Sequence, residues 1–189
     1  PRSLAEHYGT AWVPEYGPVY SEAKHYLPTM WSSEEFTHIA QVQESSANHL
    51  ARECNRLLIC DTDAFATEVW HERYLGTKAP ISLCTRYADL YILTSTDIPF
   101  VQDGLRDGEH LRSWMHNRFI TELQERGLRH VIVLGPHTDR ITKAVAAIVT
   151  LLGSSPDSQL AEENRGYWGL ARTNLSFWDN AVDDETWST

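Results

Sequence analysis

Three near-continuous apolar runs punctuate the chain: Arg56-Leu57-Leu58-Ile59-Cys60, Leu90-Tyr91-Ile92-Leu93 and Val131-Ile132-Val133-Leu134. Runs of this kind predict strands buried on both faces of a parallel sheet. Ala11-Trp12-Val13 predicts a further short strand ending at Pro14. Between the runs the apolar period changes to that of a helix. Ser32 and Glu35 form a capping box, and Phe36, Ile39, Ala40, Ala47, Leu50, Ala51 and Cys54 then recur at helical spacing. Helical patterns also fill roughly 63–75, 107–126 and 139–152. Strands alternating with helices predict βαβ units, right-handed crossovers and helices on both faces of one mainly parallel sheet. The expected fold class is therefore α/β, in three layers.

The pattern breaks after Gly153. Ser154-Ser155-Pro156-Asp157-Ser158 has the composition of a linker, and the remainder carries Tyr167, Trp168, Phe177, Trp178 and Trp187 without clean periodicity. The chain thus divides into a domain over 1–153 and an irregular, acidic, aromatic C-terminal extension over 154–189. So many aromatic residues argue against plain disorder. They are expected to pack on the domain, on a protein partner or on a second copy.

Charge narrows the partners. The formal net charge is −10 and lysine occurs only at 24, 78 and 143. Nucleic acid is not expected, because neutralising phosphates needs clustered Lys and Arg. No apolar run is long enough to span a membrane. Cys54, Cys60 and Cys84 show neither a C-x-x-C pair nor metal-ligand spacing. They read as reduced thiols of a cytoplasmic protein. The nine histidines form no recognised ligand spacing, and no G-x-S-x-G elbow is present.

Ligands of parallel α/β sheets bind beyond the carboxyl ends of the strands, so the residues after each run matter most. Asp61 and Asp63 follow the second strand. Each can serve phosphoryl transfer by ordering a metal or acting as a base. Each can equally cap the next helix. Asp103, Gly104 and Arg106 lie in a glycine-bearing loop after the third strand, where an arginine can neutralise a transferring phosphoryl group or remain solvated. Arg140 follows Gly135-Pro136, and its guanidinium plane suits the face of a base. Glu15 and Tyr16 follow the first strand, where they can meet substrate hydroxyls or form a plain turn.

The order of these segments carries a resemblance. Trp12-Val13-Pro14-Glu15-Tyr16-Gly17, Leu58-Ile59-Cys60-Asp61-Thr62-Asp63, Trp70-x-x-x-Tyr74-Leu75-Gly76, Asp89-Leu90-Tyr91-Ile92-Leu93 and Val101-Gln102-Asp103-Gly104-Leu105-Arg106 follow one another as in the kinase domain of NadR-type proteins. The resemblance covers about residues 3–152. It implies a P-loop kinase fold and phosphorylation of nicotinamide riboside with ATP and Mg2+. It also implies catalytic roles for Asp61 and Arg106, with Asp61 ordering the metal, substrate contacts from Glu15, Tyr16, Asp63 and Asp103, and nucleotide contacts from Gly104, Arg106 and Arg140. The chain departs from the family in having no G-x-x-x-x-G-K-[ST]. Residues 2–9 resemble the end of the helix that follows that motif, which would place it immediately upstream. Pro18 stands where the family has arginine, and Pro14 and His49 stand where some members sandwich nicotinamide between aromatic rings. Two expectations follow: a kinase impaired as the chain stands, or a non-catalytic pseudokinase or interaction module.

Overall fold

The computed structural model describes residues 1–25, 30–80, 82–99, 109–153 and 171–175. Among the described residues, six helices and five strands are arranged in chain order as α1 (Arg2–Tyr8), β1 (Trp12–Val13), α2 (Gly17–His25), α3 (Ser33–Leu50), β2 (Leu57–Asp61), α4 (Ala64–Leu75), β3 (Leu90–Thr94), α5 (Arg112–Glu125), β4 (His130–Val133), α6 (His137–Gly153) and β5 (Ala171–Leu175). A 3-10 turn, Glu109–Leu111, leads into α5. The strands form one five-stranded sheet in the order β1-β2-β5-β3-β4, and every pairing is parallel.

Alternation along the strands distributes their side chains between two opposite cores. Leu57 and Ile59 of β2, with Leu90 and Ile92 of β3, pack against Leu4 and Ala5 of α1 and Ala144 and Ile148 of α6. The intervening residues point the other way. Tyr91 and Leu93 meet Phe36 of α3, Phe65 of α4 and Met115 and Phe119 of α5, while Leu58 and Cys60 meet Ala47 of α3 and Val13 of β1. The molecule is thus helix, sheet, helix in three layers, as the apolar runs predict.

Local signals explain the helix ends. The Ser32–Glu35 capping box is formed, with the backbone N–H of Ser32 donating to Glu35 Oε2 at 2.8 Å. Gly9 closes α1 with φ of 58°, a left-handed conformation that costs glycine no Cβ clash. Two elements lie outside the sequence expectation. Gly17-Pro18 reads as a turn, yet it opens α2, where proline is tolerated because first-turn N–H groups lack helical partners anyway. Residues 171–175, inside the stretch expected to be irregular, form β5 in the middle of the sheet. Their composition, Ala-Arg-Thr-Asn-Leu, carries no strand signal.

An ionic cluster ties α4 to α5. Glu122 is 4% exposed and meets Arg118, Arg126 and Lys78. Glu68 accepts from the backbone N–H groups of Leu83 and Cys84 at 2.7 and 3.1 Å and pairs with Arg126 at 2.7 Å. Burial by itself would raise the Glu122 pKa. Hydrogen bonds from Lys78 and Arg126 and the nearby Arg118 charge overcome that and hold it at about 2. The folded pKa is depressed, so the stabilisation is present above the ordinary value of 4.5 and is lost as pH falls towards 2. Glu122→Gln should destabilise the fold by about 3 kcal/mol at pH 7, because it takes the buried countercharge from two half-buried guanidinium groups. Urea titrations of both proteins at pH 7 and pH 3 check this: the difference between them should shrink at the lower pH.

Candidate functional site at the carboxyl ends of the strands

Because all five strands run the same way, their exits share one edge of the sheet. The backbone turns sharply after β2. Thr62 has φ of 64°, an uncommon left-handed conformation for a β-branched residue. Held conformations of this kind cost about 1–3 kcal/mol and collect at functional sites. The turn separates the two aspartates flanking it. Asp63 is the N-cap of α4: its Oδ1 accepts from the Ala66 N–H at 3.0 Å, and its Oδ2 accepts from the Tyr91 hydroxyl at 2.8 Å. The Tyr91 oxygen in turn accepts from the Ala88 N–H at 3.1 Å. Asp63 therefore realises the capping alternative and couples the β2 exit to β3. Asp61, the last residue of β2, stands at the strand exit itself.

Gln43 brings the predicted segments together. This α3 side chain is 3% exposed. Its Oε1 accepts from the Tyr16 N–H at 2.9 Å, while its Nε2 donates to the carbonyls of Pro14 at 3.2 Å and Asp61 at 3.3 Å. One amide thus fastens the exit of β1, with Glu15 and Tyr16, to the exit of β2, with Asp61. The strand-exit rule does not reach this residue, which lies in the middle of a helix. A signal is nonetheless present in the sequence: Gln43 interrupts an otherwise apolar helical stripe between Ala40 and Ala47. Beyond it, the Tyr16 ring lies edge-on to His38, with centroids 6.0 Å apart, and 6.2 Å from Tyr20.

A second junction joins β3 to β4. Asp97 accepts from the Gly135 N–H at 2.6 Å, and Arg140 Nε donates to the Gly135 carbonyl at 2.7 Å. Gly135 has φ of 88°, and a side chain there would be strained. Arg140 is thereby placed at the β4 exit, on the first turn of α6. His116 lies beneath the β3 exit; burial lowers its pKa, with a hydrogen bond to the Thr94 backbone opposing the shift. Asp103, Gly104 and Arg106 lie outside the described residues. Among the described residues no group of three His, Cys, Asp or Glu could hold a metal ion. A magnesium ion needs no such cluster, since it is bound through one or two carboxylates with phosphates and water completing the octahedron.

A family model described as an AAA domain matches residues 2–140, most of the chain. The chain belongs to this AAA domain family. The family is of the P-loop NTPase type, so the domain is a nucleotide-binding, P-loop-type domain, in keeping with its three-layer parallel fold. Domains of this type generally bind nucleotide with Mg2+. No curated protein matches the chain. No helix among the described residues is long and apolar enough to cross a membrane.

Two outcomes test the site's construction. Gln43→Leu should weaken folding by about 2 kcal/mol, because buried polar groups left unsatisfied cost about 1–3 kcal/mol each. Denaturant unfolding measures it. The second concerns Asp63. Desolvation raises its pKa to about 6, against hydrogen bonds from Ala66 and Tyr91 that lower it. A raised folded pKa means stability is fully present below the ordinary 3.8 and is lost as pH rises through 6. Asp63→Asn keeps a cap and cannot ionise. The difference in Tm between variant and wild type should therefore grow in the variant's favour from pH 5 to pH 7.

Proposed function

We propose that this domain binds ATP with Mg2+ at the strand-exit edge and phosphorylates a nucleoside-like small molecule, with nicotinamide riboside, the precursor of nicotinamide mononucleotide in NAD salvage, as the best candidate. The observation that carries the reading is the Gln43 amide, which sets the Glu15–Tyr16 segment beside Asp61. A kinase needs that juxtaposition: a pocket for the acceptor next to a carboxylate that orders the metal or the attacking hydroxyl. In this reading Asp61 orders Mg2+ or the 5′-hydroxyl, and Glu15 and Tyr16 hold the riboside. Asp63 fixes the β2 exit from behind through Tyr91. The resemblance gives Asp103, Gly104 and Arg106 contacts with substrate and phosphates, and in this reading Arg140 approaches the base. Phosphoryl transfer is catalysed chiefly by positioning and by neutralising charge on the transferring group, which these roles supply in part.

The 189 residues contain no G-x-x-x-x-G-K-[ST]. A second reading is a scaffold that binds without transferring phosphate and works through a protein partner of its C-terminal segment. The backbone N–H groups and lysine of such a motif normally cradle the β- and γ-phosphates. Losing one preorganised donor costs about 3 kcal/mol, roughly a hundredfold in rate, so turnover by the 189-residue chain should be very low.

Thermal shift and transfer from labelled ATP separate the readings. ATP with Mg2+ should raise Tm in proportion to the logarithm of its concentration above Kd, and Asp61→Asn should remove the Mg2+-dependent part. A chain extended by an upstream strand and G-x-x-x-x-G-K-[ST] should phosphorylate nicotinamide riboside where the 189-residue chain does not. Robust turnover by the shorter chain would show that phosphate is held elsewhere. No turnover by the extended chain with any nucleoside would favour the scaffold.

A further inference from the structure

Away from the strand exits, a cavity of about 220 Å³ opens between α4, α5 and the segment that carries Lys78 and Tyr87. Tyr87 lies shortly before β3, and Arg126 follows α5 just ahead of β4. The cavity therefore belongs to the amino-end side of the sheet, opposite the edge that gathers Asp61 and Arg140. At about 30 Å³ for each water it has room for roughly seven, or for one molecule of roughly six to nine non-hydrogen atoms.

The lining is charged but balanced. Glu68, Glu72 and Glu122 supply three carboxylates, and Lys78, Arg118 and Arg126 pair with them. The pairing leaves hydrogen-bonding capacity of both kinds. Lys78 Nζ meets Glu122 Oε1 at 2.9 Å, with its side chain 63% exposed at the mouth. An ammonium group has further N–H donors to offer beyond that one contact. The Tyr87 hydroxyl accepts from Arg126 Nη1 at 3.0 Å, and its own proton has no acceptor among the described residues. Glu72 commits Oε2 to Arg118 at 2.8 Å, which leaves Oε1 as an acceptor. Val69 and Ala79 add an apolar patch to the same wall.

These features select a class of ligand. A simple anion would face three carboxylates, and a simple amine would face three cations. An apolar molecule would bury the Lys78 and Tyr87 donors without partners, which is costly. A short aliphatic molecule that carries both a carboxylate and an ammonium group meets every demand. We propose that this cavity binds a small zwitterion of the aliphatic α-amino-acid class. Its carboxylate accepts from Lys78 and the Tyr87 hydroxyl, its ammonium donates to Glu72 Oε1, and its side chain lies on Val69 and Ala79.

Titrations of the full chain test this, and none involves nucleotide, so the result stands apart from the kinase reading. L-alanine, L-valine and L-leucine are titrated by calorimetry. At least one should bind saturably at a single site, with Kd at or below about 1 mM. The amine and the carboxylic acid that keep the side chain of the best binder, but lack one of its charged ends, should each bind at least about tenfold more weakly, because each loses charge-assisted hydrogen bonds. Lys78→Met and Tyr87→Phe, shown to be folded by their melting curves, should each weaken the amino acid at least about fivefold. The backbone amide resonances of Val69, Lys78 and Ala79 should shift with the same saturation curve. No saturable binding by any of the three amino acids overturns the proposal. So does equal binding of the analogues with one charge, or full affinity in folded Lys78→Met. Should neither variant fold, the analogues and the amide shifts decide.

Discussion

A parallel sheet covered on both faces imposes one demand on every strand: successive side chains must satisfy two different cores. β2 and β3 meet it with strict alternation, sending Leu57, Ile59, Leu90 and Ile92 to α1 and α6, and Leu58, Cys60, Tyr91 and Leu93 to the opposite layer. From this follow the three layers and the common direction of the strand exits. The site exists because the sheet has only one edge where all its carboxyl ends can gather.

Polar groups then refine what the apolar core roughly sets. Gln43 commits each of its hydrogen-bonding atoms to backbone at two strand exits, fixing their separation more sharply than packing alone would. Asp63 does the same between the β2 turn and Tyr91. Farther down, Glu68 and Glu122 lock α4, α5 and the 82–84 segment through Arg118 and Arg126, whose guanidinium lies 5.0 Å from the Phe65 ring centroid. These groups are buried or half-buried and paired, so they favour one arrangement of the helices over its neighbours, although their net contribution to stability is modest beside the core.

Much of this is legible in the amino-acid sequence. The apolar runs mark β2, β3 and β4 to within a residue or so, because buried parallel strands have few alternatives for their composition. The Ser32–Glu35 box and Asp63 as a cap are equally readable, being local hydrogen-bond patterns between residues three apart. The exits carrying Glu15, Tyr16, Asp61 and Arg140 follow from the same strand boundaries. What escapes are features whose partners are distant in sequence. Gln43 acts on residues 14, 16 and 61. Glu122 escapes for another reason: its partners Arg118 and Arg126 are only four residues away, but it sits in a stripe with Met115, Phe119 and Leu123 that periodicity assigns to core.

The sequence by itself determined the α/β class, four of the five strands, the main helices and the strand-exit carboxylates, because each rests on burial patterns or contacts within a few residues. The tertiary structure alone decided the strand order and the joining of Glu15 and Tyr16 to Asp61. It alone decided that Ala171–Leu175 lies at the centre of the sheet. Those outcomes depend on backbone groups brought together across long stretches of chain, and a backbone hydrogen bond carries almost no signature in the side chains that flank it.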